Sequence, residues 1–152
     1  MTSAPIRAAV VTEKVSYVRK MVAAARRLPL SSYEEFAGDS RNAGAAESYL
    51  RRALEALFDL GRHILAKGFA IAPVEYKEIS SVLVEQGILV DEEGRLLRIM
   101  AGYRNRMVHF YHEVGTEELY YICRNSLSDV EKISDAYVAW LHAHLDKVDN
   151  AL

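Results

Sequence analysis

The sequence predicts an all-α fold, an antiparallel bundle of about five helices joined by short loops. Only three prolines and eight glycines interrupt its 152 residues, which favours long helices over a strand-and-turn fold. Apolar residues recur at spacings of three and four, and no stretch alternates convincingly with period two. With 51 % hydrophobic residues, residues 1–152 have the length and apolar content of a single domain with its own core.

The first long helix is expected to begin near Ser3-Ala4-Pro5 and to stop before Pro29. Its apolar stripe has spacings of four, three, four and three, and consists of Val11, Val15, Val18, Val22 and Ala25. A capping box over Ser31-Ser-Tyr-Glu34 predicts a short helix to about Ala37, ended by Gly38.

A second long helix follows the loop Asp39-Ser-Arg-Asn42, with Gly68 as its expected C-cap. Its stripe consists of Ala46, Leu50, Ala53, Leu57, Leu60 and Ile64. Glu55 and Asp59 lie one turn apart on it and have three open interpretations. They form an acid/base pair, a solvated helix face, or partners for nearby arginines.

The second half of the chain is expected to form three helices. Pro73 opens the first, whose apolar positions are Ile79 and Leu83 and which Gly87 closes. Asp91 begins the next, with the stripe Leu96, Met100, Tyr103 and Met107. Gly115-Thr116 caps a final long helix, with the stripe Leu119, Ile122, Ser126, Val130, Ile133, Tyr137, Trp140 or Leu141, and His144. The tail after Lys147 is expected to fray.

Composition excludes several classes of protein. The single cysteine, Cys123, excludes an intrachain disulfide framework and a cysteine-rich zinc site, and it suits a reducing, cytoplasmic setting. No signal peptide is recognised, and no apolar run approaches the ~20 residues that span a bilayer. A net charge of -2 argues against nucleic-acid binding over the whole surface, so any RNA contact is expected to be local.

One segment gathers side chains suited to phosphate chemistry. Residues 95–112 contain four arginines and no acidic residue: Arg95, Arg98, Arg104 and Arg106. Arginine offers a fork of donors for phosphate oxygens, and His109 has a side chain that titrates near neutral pH. Tyr111 adds a hydroxyl that could contact a ligand or be modified. The alternatives are a solvated helix face for the arginines, a buried or interfacial histidine, and a tyrosine packed at an interface.

Helical geometry limits how these side chains can act together. On an unbroken helix Asn105, His109 and His112 share a face, whereas Arg104 and His109 are about 140° apart. Convergence requires that the helix loosens near His109, that Arg104 reaches around it, or that a two-fold dimer supplies a second copy. The pair His109-x-x-His112 suggests a metal, but no third ligand has a fitting spacing, so no metal site is predicted.

The segment Arg104-Asn105-x-Met-Val-His109-x-Tyr111, followed by Glu-Val and a capped helix, resembles the signature of the HepT-like HEPN family. The resemblance covers nearly the whole chain. It includes Ser32-Tyr-Glu-Glu-Phe36, the helix from Ala53 to Ala66, the segment from Tyr76 to Leu89, and Leu97-x-x-Met-Ala-Gly-Tyr-Arg-Asn105. It implies a small prokaryotic all-helical bundle.

The resemblance also implies an activity. HEPN toxins of this kind are metal-independent ribonucleases that work as homodimers, with Arg and His meeting across the dimer cleft. Carried over, His109 acts as general acid/base, Arg104 stabilises charge on the phosphorane-like transition state, and Asn105 orients the phosphate or the histidine. The implied products are a 2′,3′-cyclic phosphate and a 5′-hydroxyl, made from RNA, with tRNA as a candidate substrate. Further candidates for RNA-phosphate contacts are Arg98, Arg106 and His112.

Members of this family resemble toxins that are paired with a small nucleotidyltransferase antitoxin of the MntA type. That partner transfers AMP from ATP to the tyrosine of the His-x-Tyr motif, here Tyr111. Phe110 and His112 depart from the family pattern, since members often carry an acidic residue there. One alternative remains, a non-catalytic helical subunit that binds a nucleotide or a nucleotidyltransferase. The motif argues against a purely structural interaction protein, because an inert bundle has no reason to gather Arg104, Asn105, His109 and Tyr111 as one set.

Overall fold

The computed structural model describes residues 4–109 and 114–152, and its regular structure there is helical, which confirms the all-α prediction. This part of the chain holds seven α-helices rather than about five. They are α1 (Ala8–Arg26), α2 (Tyr33–Ala37), α3 (Ser40–Phe69), α4 (Tyr76–Glu85), α5 (Asp91–Val108), α6 (Thr116–Asn125) and α7 (Leu127–Ala143), followed by a 3-10 turn, Leu145–Lys147.

Helix α3 is the centre of the bundle, because it packs against each of the other six helices. Its entire predicted stripe is buried, as is the entire predicted stripe of α1. Ile79 and Leu83 of α4 are also fully buried, as predicted. The three-four spacing of apolar residues therefore identified the core faces of these helices correctly.

The beginning of α1 and the end of the chain differ from the prediction, and for one reason. Ile6 is fully buried and pairs with Val148 in an isolated parallel bridge, so α1 begins at Ala8 rather than near Ser3-Ala4-Pro5. Asp149 donates its N–H to the carbonyl of Ile6 (2.9 Å) and accepts from the N–H of Ala8 (2.8 Å). The prediction that the tail frays after Lys147 was wrong, since Asp149 caps α1 from a distant part of the sequence.

Three helix ends also lie elsewhere than predicted. Ser32, not Ser31, is the N-cap of α2 and accepts from the N–H of Glu35 (3.1 Å). Gly68 is not the C-cap of α3, because α3 continues to Phe69 and Ala70 takes the left-handed conformation with φ 56°. The helix expected to open at Pro73 begins at Tyr76.

The predicted final helix is two helices, and the break between them lies at Ser126. Ser126 donates its N–H to Ile122 (2.8 Å) and has φ -114°, after which α7 starts at Leu127. Neither glycine nor proline marks this position. The apolar spacing continues through it, so the sequence pattern gave no sign of the interruption.

The buried face of α5 is rotated from the predicted stripe. Met100 is buried, but Leu96, Tyr103 and Met107 are only half-buried. The fully buried residues of α5 are Gly94, Leu97, Met100 and Ala101. Arg104 follows Leu97 by seven positions and Met100 by four, so it lies over the buried face rather than on the solvent side.

A histidine in α3 makes the start of α1 sensitive to acid. The N–H of Arg7 donates to His63 Nε2 (3.0 Å), which requires a neutral ring. Burial, and then the charges of Lys67 and Arg7, lower the pKa of His63 in the folded chain. The unfolded chain therefore binds more protons in this range. The contribution of His63 to stability is complete above its pKa in the unfolded chain, about 6.5, and is lost as the pH falls through its lower pKa in the folded chain.

We expect the free energy of unfolding to decrease as the pH drops below about 6.5. His63→Gln should remove part of this pH dependence, because glutamine does not titrate although it can still accept from the N–H of Arg7. Urea titrations across this pH range measure it. The exposed His142 provides the matched control as His142→Gln. Equal slopes in wild type and His63→Gln would contradict the assignment.

Candidate functional site

The end of α5 places His109. The helix stops at Val108, and His109 is its C-cap, with φ -92° and ψ 96°, while its N–H still donates to Asn105 (3.1 Å). The backbone therefore leaves the helix at the histidine, which is the first of the three conditions named for convergence with Arg104. The residue is exposed at the end of the helix. Tyr111 and His112 lie outside the described residues.

Arg104 is held against the body of the bundle. Its side chain is 19 % exposed, and its Cζ lies 4.0 Å from the centroid of the Tyr76 ring in α4. Its Nε is 3.8 Å from Glu55 Oε1 in α3, and its Nη1 is 3.4 Å from Asn105 Oδ1. Within the described residues the buried Nε has no hydrogen-bond acceptor. Arg104 and Asn105 are therefore adjacent, and Arg104 is fixed between α3, α4 and its own helix.

Glu55 and Asp59 of α3 have different partners. Glu55 lies near Arg104 and also 3.9 Å from Arg51, whereas Asp59 lies 3.5 Å from Lys14 in α1. An acid/base pair would need both groups directed at one site. Of the three interpretations, that of partners for nearby arginines fits Glu55, whereas Asp59 pairs with a lysine.

Arg106 and Arg98 have opposite surroundings. Arg106 donates through both Nη atoms to Glu118 of α6 (2.6 and 2.7 Å), and this bidentate bond raises the pKa of Arg106. It ties α5 to α6 on either side of residues 109–115. Arg98 is exposed, and no carboxylate within the described part of the chain forms an ion pair with it. The basic segment thus presents less uncompensated charge than its sequence suggests.

A comparison with models of protein families shows to which family the chain belongs. A family model described as "Ribonuclease HepT-like" matches residues 18–137, from α1 to α7. The chain belongs to the HepT-like ribonuclease family. The motif of Arg104, Asn105 and His109 lies within the matched range, as do Glu55 and Tyr76.

Solved structures show that this HepT-like chain shares its fold with known HEPN proteins. One is a tri-AMPylated HEPN toxin from Shewanella oneidensis in complex with an MNT antitoxin. It is 20 % identical, with 86 % of this chain and 97 % of that chain covered and a TM-score of 0.78. A toxin–antitoxin structure with AMP-PNP is 19 % identical, with coverages of 84 % and 97 % and a TM-score of 0.75.

A third similar structure is the cytosolic protein YutE from Bacillus subtilis, 16 % identical, with 91 % of this chain and 93 % of that chain covered and a TM-score of 0.76. No curated protein matches the chain. At these identities the structural likeness shows the fold.

The surroundings of the HepT-like motif include residues that the sequence did not reveal. Tyr76 and Glu118 contact the motif arginines, and Arg62 lies over the same Tyr76 ring at 4.8 Å. No local spacing links these positions. One signal was present in the sequence. Arg104 lies on the same helix face as Leu97 and Met100, and an arginine on a buried face needs polar or aromatic partners from other helices.

Three further features limit the chemistry. Cys123 is buried, and this burial raises the pKa of its thiol to about 11, which makes it a poor nucleophile. Within residues 4–109 and 114–152 no three histidine, cysteine or acidic side chains cluster as metal ligands. In the same ranges, every helix is too short or too polar to span a bilayer.

Proposed function

We propose that this chain is a metal-independent endoribonuclease that uses Arg104, Asn105 and His109 in the cleft of a homodimer. The observation that carries the proposal is the end of α5, where His109 leaves the helix and is exposed, one turn beyond an Arg104 that is anchored in place. Membership of a ribonuclease family supports the same reaction class.

The proposed reaction needs only groups of this type. His109 takes the proton from a ribose 2′-hydroxyl as that oxygen attacks the adjacent phosphorus. As the bond to the 5′-oxygen breaks, a water molecule gives that oxygen a proton, and protonated His109 returns its proton to the resulting hydroxide. Arg104 stabilises the charge that develops on the phosphoryl oxygens. The products are a 2′,3′-cyclic phosphate and a 5′-hydroxyl, and DNA is not cut because it lacks the nucleophile. Asn105, whose Oδ1 lies 3.4 Å from Arg104 Nη1, is proposed to orient the phosphate or His109.

A homodimer would bring Arg104 of one protomer and His109 of its partner to one site. Arg104 faces α3 and α4, whereas His109 is exposed at the helix end. Val108, the last residue of α5 and the neighbour of His109, is apolar yet 42 % exposed, which supports a partner at this end of the helix. A two-fold axis there brings two copies of one motif together, so that the arginine of one copy serves the histidine of the other.

Three residues are proposed to hold flanking phosphates: Arg98, Arg106 and His112. Arg98 is exposed and available. Arg106 would have to leave Glu118, which makes it the weaker candidate. RNA, with tRNA as one possible form, is the substrate class, and a prokaryotic cytoplasm is the expected place of action.

We propose that Tyr111 is the regulatory position, modified with AMP by a nucleotidyltransferase antitoxin of the MntA type. The structurally similar Shewanella oneidensis toxin is AMPylated and bound to an MNT antitoxin, which supports this pairing. An anionic group two residues from His109 would occupy the phosphate site and repel RNA.

The second candidate is a non-catalytic subunit that binds a nucleotide or a nucleotidyltransferase. Carboxylates oppose both motif arginines, Glu55 at Arg104 and Glu118 at Arg106. A paired carboxylate reduces the electrostatic stabilisation that the arginine can give to a highly charged transition state. It interferes less with the binding of a ligand that displaces the carboxylate from the arginine.

Cleavage of a labelled tRNA pool in excess EDTA separates the two. We expect fragments with 2′,3′-cyclic phosphate ends at the same rate with and without EDTA. The intact mass of the same sample is measured, because one or more added AMP groups would silence the site, and Tyr111→Phe should then lack them. An unmodified chain that binds RNA without cutting it supports the second candidate.

A further inference from the structure

The aromatic ring beneath Arg104 is itself unusually well fixed. Tyr76 is the first residue of α4, and its ring meets Phe58 of α3 edge to face, with centroids 4.9 Å apart at 86°. A second guanidinium, that of Arg62, lies 4.8 Å from the same ring and is itself anchored by a 2.8 Å hydrogen bond to the carbonyl of Val74. The edge-to-face contact with Phe58 of α3 thus fixes the ring, and Arg62 is a more distant second cation near it.

The other contacts of Arg104 are too long to fix its plane. Glu55 stands 3.8 Å from Nε, beyond hydrogen-bond distance, and shares its charge with Arg51 at 3.9 Å. Asn105 lies 3.4 Å from Nη1, at the outer limit of a hydrogen bond. Glu55 therefore balances the charge of Arg104 without determining its direction. By contrast, Arg104 Cζ lies over the Tyr76 ring at 4.0 Å from its centroid, well inside the roughly 6 Å range of a cation–π contact. A planar guanidinium that lies over a fixed ring is strongly restricted.

We infer that Tyr76 is a positioning residue for Arg104, an aromatic platform that sets the plane in which the guanidinium meets the phosphate. This inference rests on the proposed function for its catalytic consequence. Transition-state stabilisation depends on donors that are in place before charge develops, so an arginine that swings freely binds RNA but stabilises the transition state poorly.

The test compares Tyr76→Leu with Tyr76→Phe. Leucine fills the space without a π face, and we expect kcat for RNA cleavage to fall about tenfold with KM little changed. Phenylalanine keeps the ring and should restore the wild-type kcat. The matched control is Arg62→Gln, which removes the other guanidinium on the ring while leaving Arg104 stacked, and it should cut RNA at the wild-type rate. Thermal melts of all three confirm that they fold.

An independent readout follows the arginine itself. The Nε–H resonance of Arg104, assigned by its loss in Arg104→Gln, should show an ordered side chain in wild type, Tyr76→Phe and Arg62→Gln, and a mobile one in Tyr76→Leu. An ordered Arg104 in folded Tyr76→Leu overturns the inference. So does a fall in kcat that phenylalanine does not restore. If wild type cuts no RNA but Arg104 is ordered only when an aromatic ring is present, the positioning role stands and the proposed function fails.

Discussion

Replacing His109 with alanine is expected to slow RNA cleavage by about 10²–10⁴-fold, because general acid–base catalysis contributes a factor of this size. His109 is exposed at the end of α5, so the folded state should tolerate the change. Cleavage of a labelled RNA under single-turnover conditions measures the effect. RNA affinity, measured by filter binding, should change much less, since the arginines remain.

Mixing two inactive variants tests whether the site is shared between protomers. Arg104→Gln and His109→Ala are each expected to be nearly inactive. After unfolding together and refolding, about half of the dimers are mixed, and each mixed dimer holds one site with both groups intact. Activity of about a quarter of wild type is therefore expected. No recovery, with mixed dimers demonstrated by tagged pull-down, would mean that both groups act within one protomer.

Replacing Gly61 with valine is expected to destabilise the fold by about 3 kcal/mol, the upper end of the usual cost of overpacking a filled core. A Cβ atom at Gly61 would lie 2.8 Å from the Tyr137 hydroxyl, 3.2 Å from Leu83 Cδ1 and 3.4 Å from Ile79 Cγ2. All three neighbours are fully buried. Urea denaturation followed by circular dichroism gives the free energy of unfolding.

The same helix provides the control. A Cβ atom at Gly44 meets nothing within 4 Å, so Gly44→Val should cost little or stabilise slightly. The double variant Gly61→Ala/Tyr137→Phe should recover part of the loss caused by Gly61→Ala, because it removes the nearest atom. That hydroxyl is buried and lacks a hydrogen-bond partner among the described residues, so Tyr137→Phe alone should not destabilise the fold. A large loss in Gly44→Val would mean that valine is costly in α3 wherever it stands, which contradicts the packing explanation for Gly61.

The sequence predicted the core where burial follows local periodicity. The valines of α1 and the stripe of α3 are buried because one face of each helix meets the bundle over its whole length. It failed where distant residues decide a local structure. Asp149 caps α1, and Ile6 pairs with Val148, and no pattern within ten residues of either end could show this. The break at Ser126 was hidden because the apolar spacing runs through it.

In the candidate site, too, the sequence revealed the residues that lie within one short segment but not those that distant helices supply. Arg104, Asn105 and His109 lie within one short motif and were found as a set by resemblance. Tyr76 and Glu55 come from other helices, and only the packing of α3, α4 and α5 brings them to Arg104. Glu55 had been considered as one of a catalytic pair, but its nearest partners are arginines.

The burial of Cys123 has a practical consequence for spectroscopy. A thiol that is 4 % exposed, with its pKa raised to about 11, reacts slowly with maleimides and methanethiosulfonates at neutral pH. The natural chain can therefore serve as a background for site-directed labelling without replacing its own cysteine. A nitroxide at an exposed position of α5, such as Arg98→Cys, would then test the proposed homodimer, which should show one interspin distance.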